Sequence, residues 1–153
     1  GKDLTGVVLS GIDLSYMNFT GTILAGADLS NSNLARMNLS DTSLTGAILT
    51  GANLSNANLT GVDLSGKDLT GAILTGAVLS NANLIDIDLT NANLRNANLQ
   101  YTLLVDGNLL NAILVGADLS NATLTGTILT GADLENTVLT NAILNCVGHP
   151  ICT

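Results

Sequence analysis

Residues 46–60 read Gly46-Ala47-Ile48-Leu49-Thr50, Gly51-Ala52-Asn53-Leu54-Ser55, Asn56-Ala57-Asn58-Leu59-Thr60, and the spacing of their leucines decides the fold. The same unit of five runs outward in both directions. From Leu4 to Leu144 every fifth residue, 29 positions in all, is Leu except for Phe19. No insertion breaks this register. A period of five suits neither regular structure: on an α-helix residues five apart lie about 140° apart, so the leucines would spiral over every face. In a continuous strand an odd spacing would send successive leucines to opposite faces. A chain that turns a corner once per unit escapes both problems, because each Leu then points to a common axis. Gly, Asn and Asp, recurring between the leucines, supply the turn chemistry by tolerating positive φ or bonding the local backbone.

Composition agrees with a repeat built on one core residue. The 153-residue length suits a single domain. There is no Trp, and the aromatics are Phe19, Tyr16 and Tyr101. Nearly all the large apolar volume is therefore Leu. Charged residues make up 10% of the chain, too few for charge-driven disorder. The net charge of −8 argues against nonspecific binding to DNA, RNA or anionic lipid, so no direct nucleic-acid contact is expected. Apolar residues never run together for the roughly 18 positions that a membrane-spanning helix needs. The chain starts Gly1-Lys2-Asp3 without a signal-peptide core, and the missing initiator Met points to removal of upstream residues.

Units such as Ala27-Asp28-Leu29-Ser30-Asn31, Ala52-Asn53-Leu54-Ser55-Asn56 and Ala132-Asp133-Leu134-Glu135-Asn136 resemble the A(D/N)LXX motif of the pentapeptide-repeat family, in the style of its cyanobacterial members. The resemblance runs from residue 2 to about 145. It implies an all-β fold, a right-handed quadrilateral β-helix with four units to a coil of about 20 residues, hence roughly seven coils. It also implies that Leu and the small residue two before it point inward. The strongest self-similarity of the sequence itself is at 25, as in Gly21-Thr22-Ile23-Leu24, Gly46-Ala47-Ile48-Leu49 and Gly71-Ala72-Ile73-Leu74. This reads as duplication in blocks of five units, with the isoleucines climbing over successive faces. The expected domain division is 1–145 for the solenoid and 146–153 for a C-terminal cap.

Departures from the unit are where function could sit. Lys2, Val7, Ile12, Met17, Met37, Val62, Lys67 and Ile87 are oversized or charged for the small inward position. Their apolar members concentrate toward the N-terminus, which predicts a wider bore beside Phe19. Lys67 is expected to snorkel outward or to displace the local backbone, because a buried ammonium is expensive. The segment Cys146-Val147-Gly148-His149-Pro150-Ile151-Cys152 leaves the pattern and reads as a cap. A disulfide between Cys146 and Cys152 would staple it and would place the chain in an oxidising compartment, periplasm or thylakoid lumen, and otherwise in the cytoplasm. The competing zinc reading has three ligands where a structural site takes four. No metal or cofactor is expected. Cys–His catalysis lacks an orienting third group. The N-terminal end carries no cap sequence, which leaves two expectations: cover by residues missing upstream, or by a second copy in an end-to-end homodimer through the first coil.

With a coil of 20, Asp28, Asp68 and Asp88 fall in one column, and Asp86 and Asp106 in its neighbour. The resemblance gives this acidic face one specific meaning, since family members linked to quinolone resistance mimic DNA toward type II topoisomerases such as gyrase. The competing reading is that Asp at this position is turn chemistry. Against mimicry, the chain differs from that group in its all-Leu centre, its lack of projecting loops and its sparse acids. A third reading takes Ser10, Ser30, Thr50, Thr70 and Thr90 as a hydroxyl ladder for binding ice, interrupted at Leu110. One His, no nucleophile–base pairing and no phosphate-binding loop argue against an enzyme. The leading expectation is a non-enzymatic scaffold for an unidentified protein partner.

Overall fold

The structure is a computed structural model that describes residues 2–152. Gly1 and Thr153, the outer limits of the expected solenoid and cap, lie outside the described residues. From Asp3 to Ile143 each unit except that of Asn18 contributes one bridging residue, the Leu or Phe after it, and a tight turn. In the unit around Leu69 the Ala72 N–H donates to the Leu69 carbonyl at 3.0 Å, with Gly71 at φ 67 in the third turn position. Positive φ at that position is the requirement of a type II turn, and it explains why Gly and Asn alternate there. The residue before each Leu explains the other half of the motif. The Asp68 Oδ1 accepts the Thr70 N–H at 2.8 Å and the Asn53 Oδ1 accepts the Ser55 N–H at 3.1 Å. Both hold the chain as it enters the corner.

Parallel bridges join residues 20 apart, from Asp3↔Ile23 through Asp68↔Asp88 to Thr123↔Ile143. Four five-residue units thus close one coil, and the coils stack through backbone bonds such as Leu69 N–H to Asp88 O (2.8 Å) and Asp88 N–H to Lys67 O (2.8 Å). The bridging residues define four faces. The first runs through Asp3 and Ile23, the second through Val8 and Asp28, the third through Asp13 and Asn33, and the fourth through Asn38 and Asn58. Ile23, Ile48 and Ile73 occupy the first, second and third faces in turn, so the 25-residue sequence repeat winds around the rod. Its last bridge is Ile128↔Val147, one residue short of the 20-residue register.

The interior is a filled column of leucines. Leu24 through Leu129 are 2% exposed or less at every central position, flanked by alanines such as Ala52, Ala72 and Ala92 at 0%. Burying each Leu contributes roughly 1.5–3 kcal/mol. Polar residues at the inward position are satisfied: the Thr102 Oγ1–H donates to the Leu99 carbonyl at 2.8 Å and the Ser32 Oγ–H to the Leu29 carbonyl at 2.7 Å. One oversized residue, Ile87, is met by a glycine one coil above. Ile87 lies one coil from Gly107, where an added Cβ would come within 3.4 Å of the Ile87 Cγ2.

The oversized inward residues of the N-terminal third divide in two: Ile12 and Met17 are 46% and 57% exposed, whereas Phe19 and Met37 are buried. Lys67 is half-buried and keeps its bonds to the following coil. Toward the preceding coil the ladder fails. No bridge joins Ser43 to Asp63 or Ile48 to Asp68, and a second gap separates Asn18 from Asn38. Both gaps begin at a turn that departs from the rule. Between Gly6 and Asn141, Tyr16 and Asp41 are the two turn residues that lack positive φ. Val62 and Lys67, bulky residues at inward positions, directly precede Asp63 and Asp68.

Candidate interaction faces

Every fully buried layer is occupied by side chains, so chemistry can only be presented on the outside. On the second face Asp28, Ile48, Asp68, Asp88 and Asn108 follow one another, and the bridge Asp68↔Asp88 sets two carboxylates on consecutive coils. These acids carry out turn work. The Asp28 Oδ1 accepts the Ser30 N–H (3.0 Å) and the Ser30 Oγ–H (2.7 Å), and the Asp88 Oδ1 accepts the Thr90 N–H (2.9 Å). The Ser30 hydroxyl holds the Asp28 carboxyl below its ordinary pKa, with the Ser30 N–H second. For Asp68 the Thr70 N–H is the larger cause and the Thr70 hydroxyl follows.

Asp86 and Asp106 differ in kind. They sit at the turn position with φ 56 and 55, both exposed, one coil apart at the edge of the second face. Neither carboxylate accepts a hydrogen bond from a described residue. Asp106 leans along the rod toward Gly126, where an added Cβ would overlap its Oδ1. The structure therefore brings Asp68, Asp86, Asp88 and Asp106 onto one patch and leaves Asp28 two coils away from Asp68. The proposed hydroxyl ladder is not a free array: Ser30 donates to Asp28, and the Thr90 Oγ1 accepts the Asn108 Nδ2–H at 3.0 Å.

Two features were not legible in the sequence as sites. Amide ladders run along the third and fourth faces, with Asn53 Nδ2–H donating to Asn33 Oδ1 at 3.0 Å and Asn58 Nδ2–H to Asn38 Oδ1 at 3.0 Å. A polar groove of about 280 Å³ lies at the corner around Tyr16 and Arg36. At the C-terminal end Cys146 and Cys152 are joined, with their Cα atoms 4.9 Å apart. His149, inside that loop, accepts the Ile151 N–H on its Nδ1 at 3.3 Å. Among the described residues no group of His, Cys, Asp and Glu has the geometry to hold a metal ion. No helix there is long and apolar enough to cross a membrane.

The family model for pentapeptide repeats matches in eight copies over residues 3–36, 38–76, 72–109, 92–131 and 104–141. The chain belongs to the pentapeptide-repeat family. Solved pentapeptide-repeat proteins, known as right-handed quadrilateral β-helices, are its structural neighbours. One, from the Arabidopsis thaliana thylakoid lumen, is 29% identical with a TM-score of 0.51; the match covers 65% of this chain and spans 63% of that protein's structure. Another, Rfr23 from the cyanobacterium Cyanothece 51142, is 34% identical over 96% of this chain and 91% of its own, with a TM-score of 0.28. QnrB1, a plasmid-mediated fluoroquinolone resistance protein, is 24% identical over 95% of this chain and 84% of its own, with a TM-score of 0.41. No curated protein matches the sequence. Pentapeptide-repeat proteins are generally structural or interaction proteins, and this one presents the side-chain variety on its faces that such a role uses.

Proposed function

We propose that this pentapeptide-repeat protein is a non-enzymatic rod that engages a protein partner through one outer face. The observation that carries this reading is the division of labour along each unit. The Leu and its small partner are consumed by the core, while the residue before Leu varies among Asn, Asp, Ile, Val, Leu, Ser and Thr. The four faces consequently differ in charge and apolar content although they share one backbone. Such a rod offers extended, rigid surfaces. The test is capture from the native host's extract with four variants, each carrying two Lys substitutions on a different face. A protein retained by three variants and lost by the fourth supports the reading; retention by all four, or by none, overturns it.

The patch of Asp68, Asp86, Asp88 and Asp106 keeps DNA mimicry as a second reading. Its measurement is a gyrase supercoiling assay at low and moderate salt. Inhibition that vanishes when all four become Asn would support it, and no inhibition would dismiss it. An end-to-end dimer through the first coil is a further proposal, and sedimentation showing monomer alone at high concentration would sink this idea. The Cys146–Cys152 link favours an oxidising compartment, as for the thylakoid-lumen relative.

A further inference from the structure

We propose that the groove at the corner between the third and fourth faces binds a carboxylate of a partner polypeptide, gripped by Arg36 with the Tyr16 ring as its wall. This rests on the interaction reading above and gives it a contact point. The groove exists because the ladder fails there. Leu14 N–H reaches Asn33 O at 2.9 Å, and one coil on Arg36 N–H reaches Ser55 O at 2.8 Å. Between them the Tyr16 N–H and Ala35 carbonyl, which the same register would join, make no hydrogen bond to a described residue, and both residues line the groove. A donor and an acceptor of the main chain are thus left for an incoming group.

Arg36 is the second observation. Among the described residues thirteen non-glycine residues have positive φ, and eleven are Asn or Asp; Arg36, at φ 63, is one of the two exceptions. Turn chemistry does not call for Arg at such a position, and strain held at an exposed site points to use. Its guanidinium meets no carboxylate within ion-pair distance among the described residues, in a chain of net charge −8. A guanidinium presents paired donors that match a carboxylate. Tyr16, 97% exposed, stands one coil away in the same column and offers a ring face for the methylenes that carry the acid. The groove, about 280 Å³, admits one side chain or a chain end. Charge narrows the ligand. Asp13 stands beside the groove, bonded to the lining Asn33 at 2.9 Å, and disfavours a doubly charged phosphate more than a singly charged carboxylate.

The test is a titration of the ¹⁵N-labelled chain, followed by amide shifts. The probes are N-acetyl-tetra-alanine as free acid, the same peptide as C-terminal amide, an amidated N-acetyl-Ala-Glu-Ala, and inorganic phosphate. The proposal expects saturable shifts at Tyr16, Ala35 and Arg36 with a carboxylate probe, weakened at least tenfold in Arg36→Asn. That substitution suits the left-handed turn and keeps the fold. Binding of the free acid alone identifies a chain terminus, and binding of the Glu peptide as well identifies side-chain carboxylates. The proposal is overturned by equal binding of the amidated tetra-alanine or of phosphate, by unchanged binding in Arg36→Asn, or by silence from every probe. In the last case, face-specific capture of a partner would leave the interaction reading standing.

Discussion

At the scale of single residues, the unit is explained by three jobs: Leu fills the axis, the residue before it ties down the corner, and the turn residue accepts positive φ. Tyr101 performs the third job poorly. It holds φ 60 with 57% of its surface exposed, so it carries turn strain with little packing in return. Tyr101→Asn should raise stability by about 1 kcal/mol, the usual scale of a left-handed penalty, as read by urea denaturation. Acid sensitivity belongs at this scale as well. Asp3, Asp13 and Asp28 are held below their ordinary pKa, first by the hydroxyl and then by the N–H of the Ser or Thr two residues on. A lowered folded pKa means the carboxylates add stability above the unfolded value of about 3.9, which is lost as pH falls through the folded one. Melting temperature should therefore decline below about pH 4. Asp13→Asn/Asp28→Asn, which keeps both acceptors, should flatten that decline without unfolding the protein.

At the scale of the element, the coil, neighbouring units stabilise each other through the ladder, and the ladder is uneven. The N–H groups of Leu44, Gly46, Asp63 and Asp68 lack the partners that their equivalents Leu64, Gly66, Asn83 and Asp88 possess. Hydrogen exchange should find the first four among the fastest amides of the rod's interior interval and the second four among the slowest. If all eight exchange alike, the gap is closed in solution. The cause is local: a turn residue, Asp41, without positive φ and a Lys67 where the motif places a small residue. Lys67→Ala with Asp41→Gly should slow exchange at Leu44 and Asp68 together. Core substitutions away from the gap behave differently. Leu94→Ala empties a fully buried layer and should cost about 2–5 kcal/mol.

At the scale of the whole molecule, a stack in which each coil touches only its neighbours loses structure from its ends and weakest joints. The Cys146–Cys152 loop follows the last coil, with Cys146, Ile151 and Cys152 packed against the hydrophobic core. A loop of this length should contribute about 2 kcal/mol. Reduction, or Cys146→Ser/Cys152→Ser, should accelerate amide exchange from Leu124 to Leu144 while leaving Leu69–Leu99 unchanged. A uniform rise along the rod would show that the stack unfolds as one block.

The sequence alone determined the solenoid, its family, its leucine axis and the chemistry of its turns, because each of these resides within five consecutive residues. Even the anomalies were visible by type: Lys67, Phe19 and the two cysteines stand out from the unit. What the tertiary structure decided is everything that depends on which unit lies above which. The sequence repeats most strongly at 25, yet the coils bridge at 20, since coil length follows from four corners closing a square and is written in no single unit. That register decides which acids share a patch, and it places Arg36 beside Tyr16. It also decides where the ladder fails. Tyr16 and Asp41 occupy turn positions at which Tyr101 and Asp106 adopt positive φ, so residue type could not reveal the gaps.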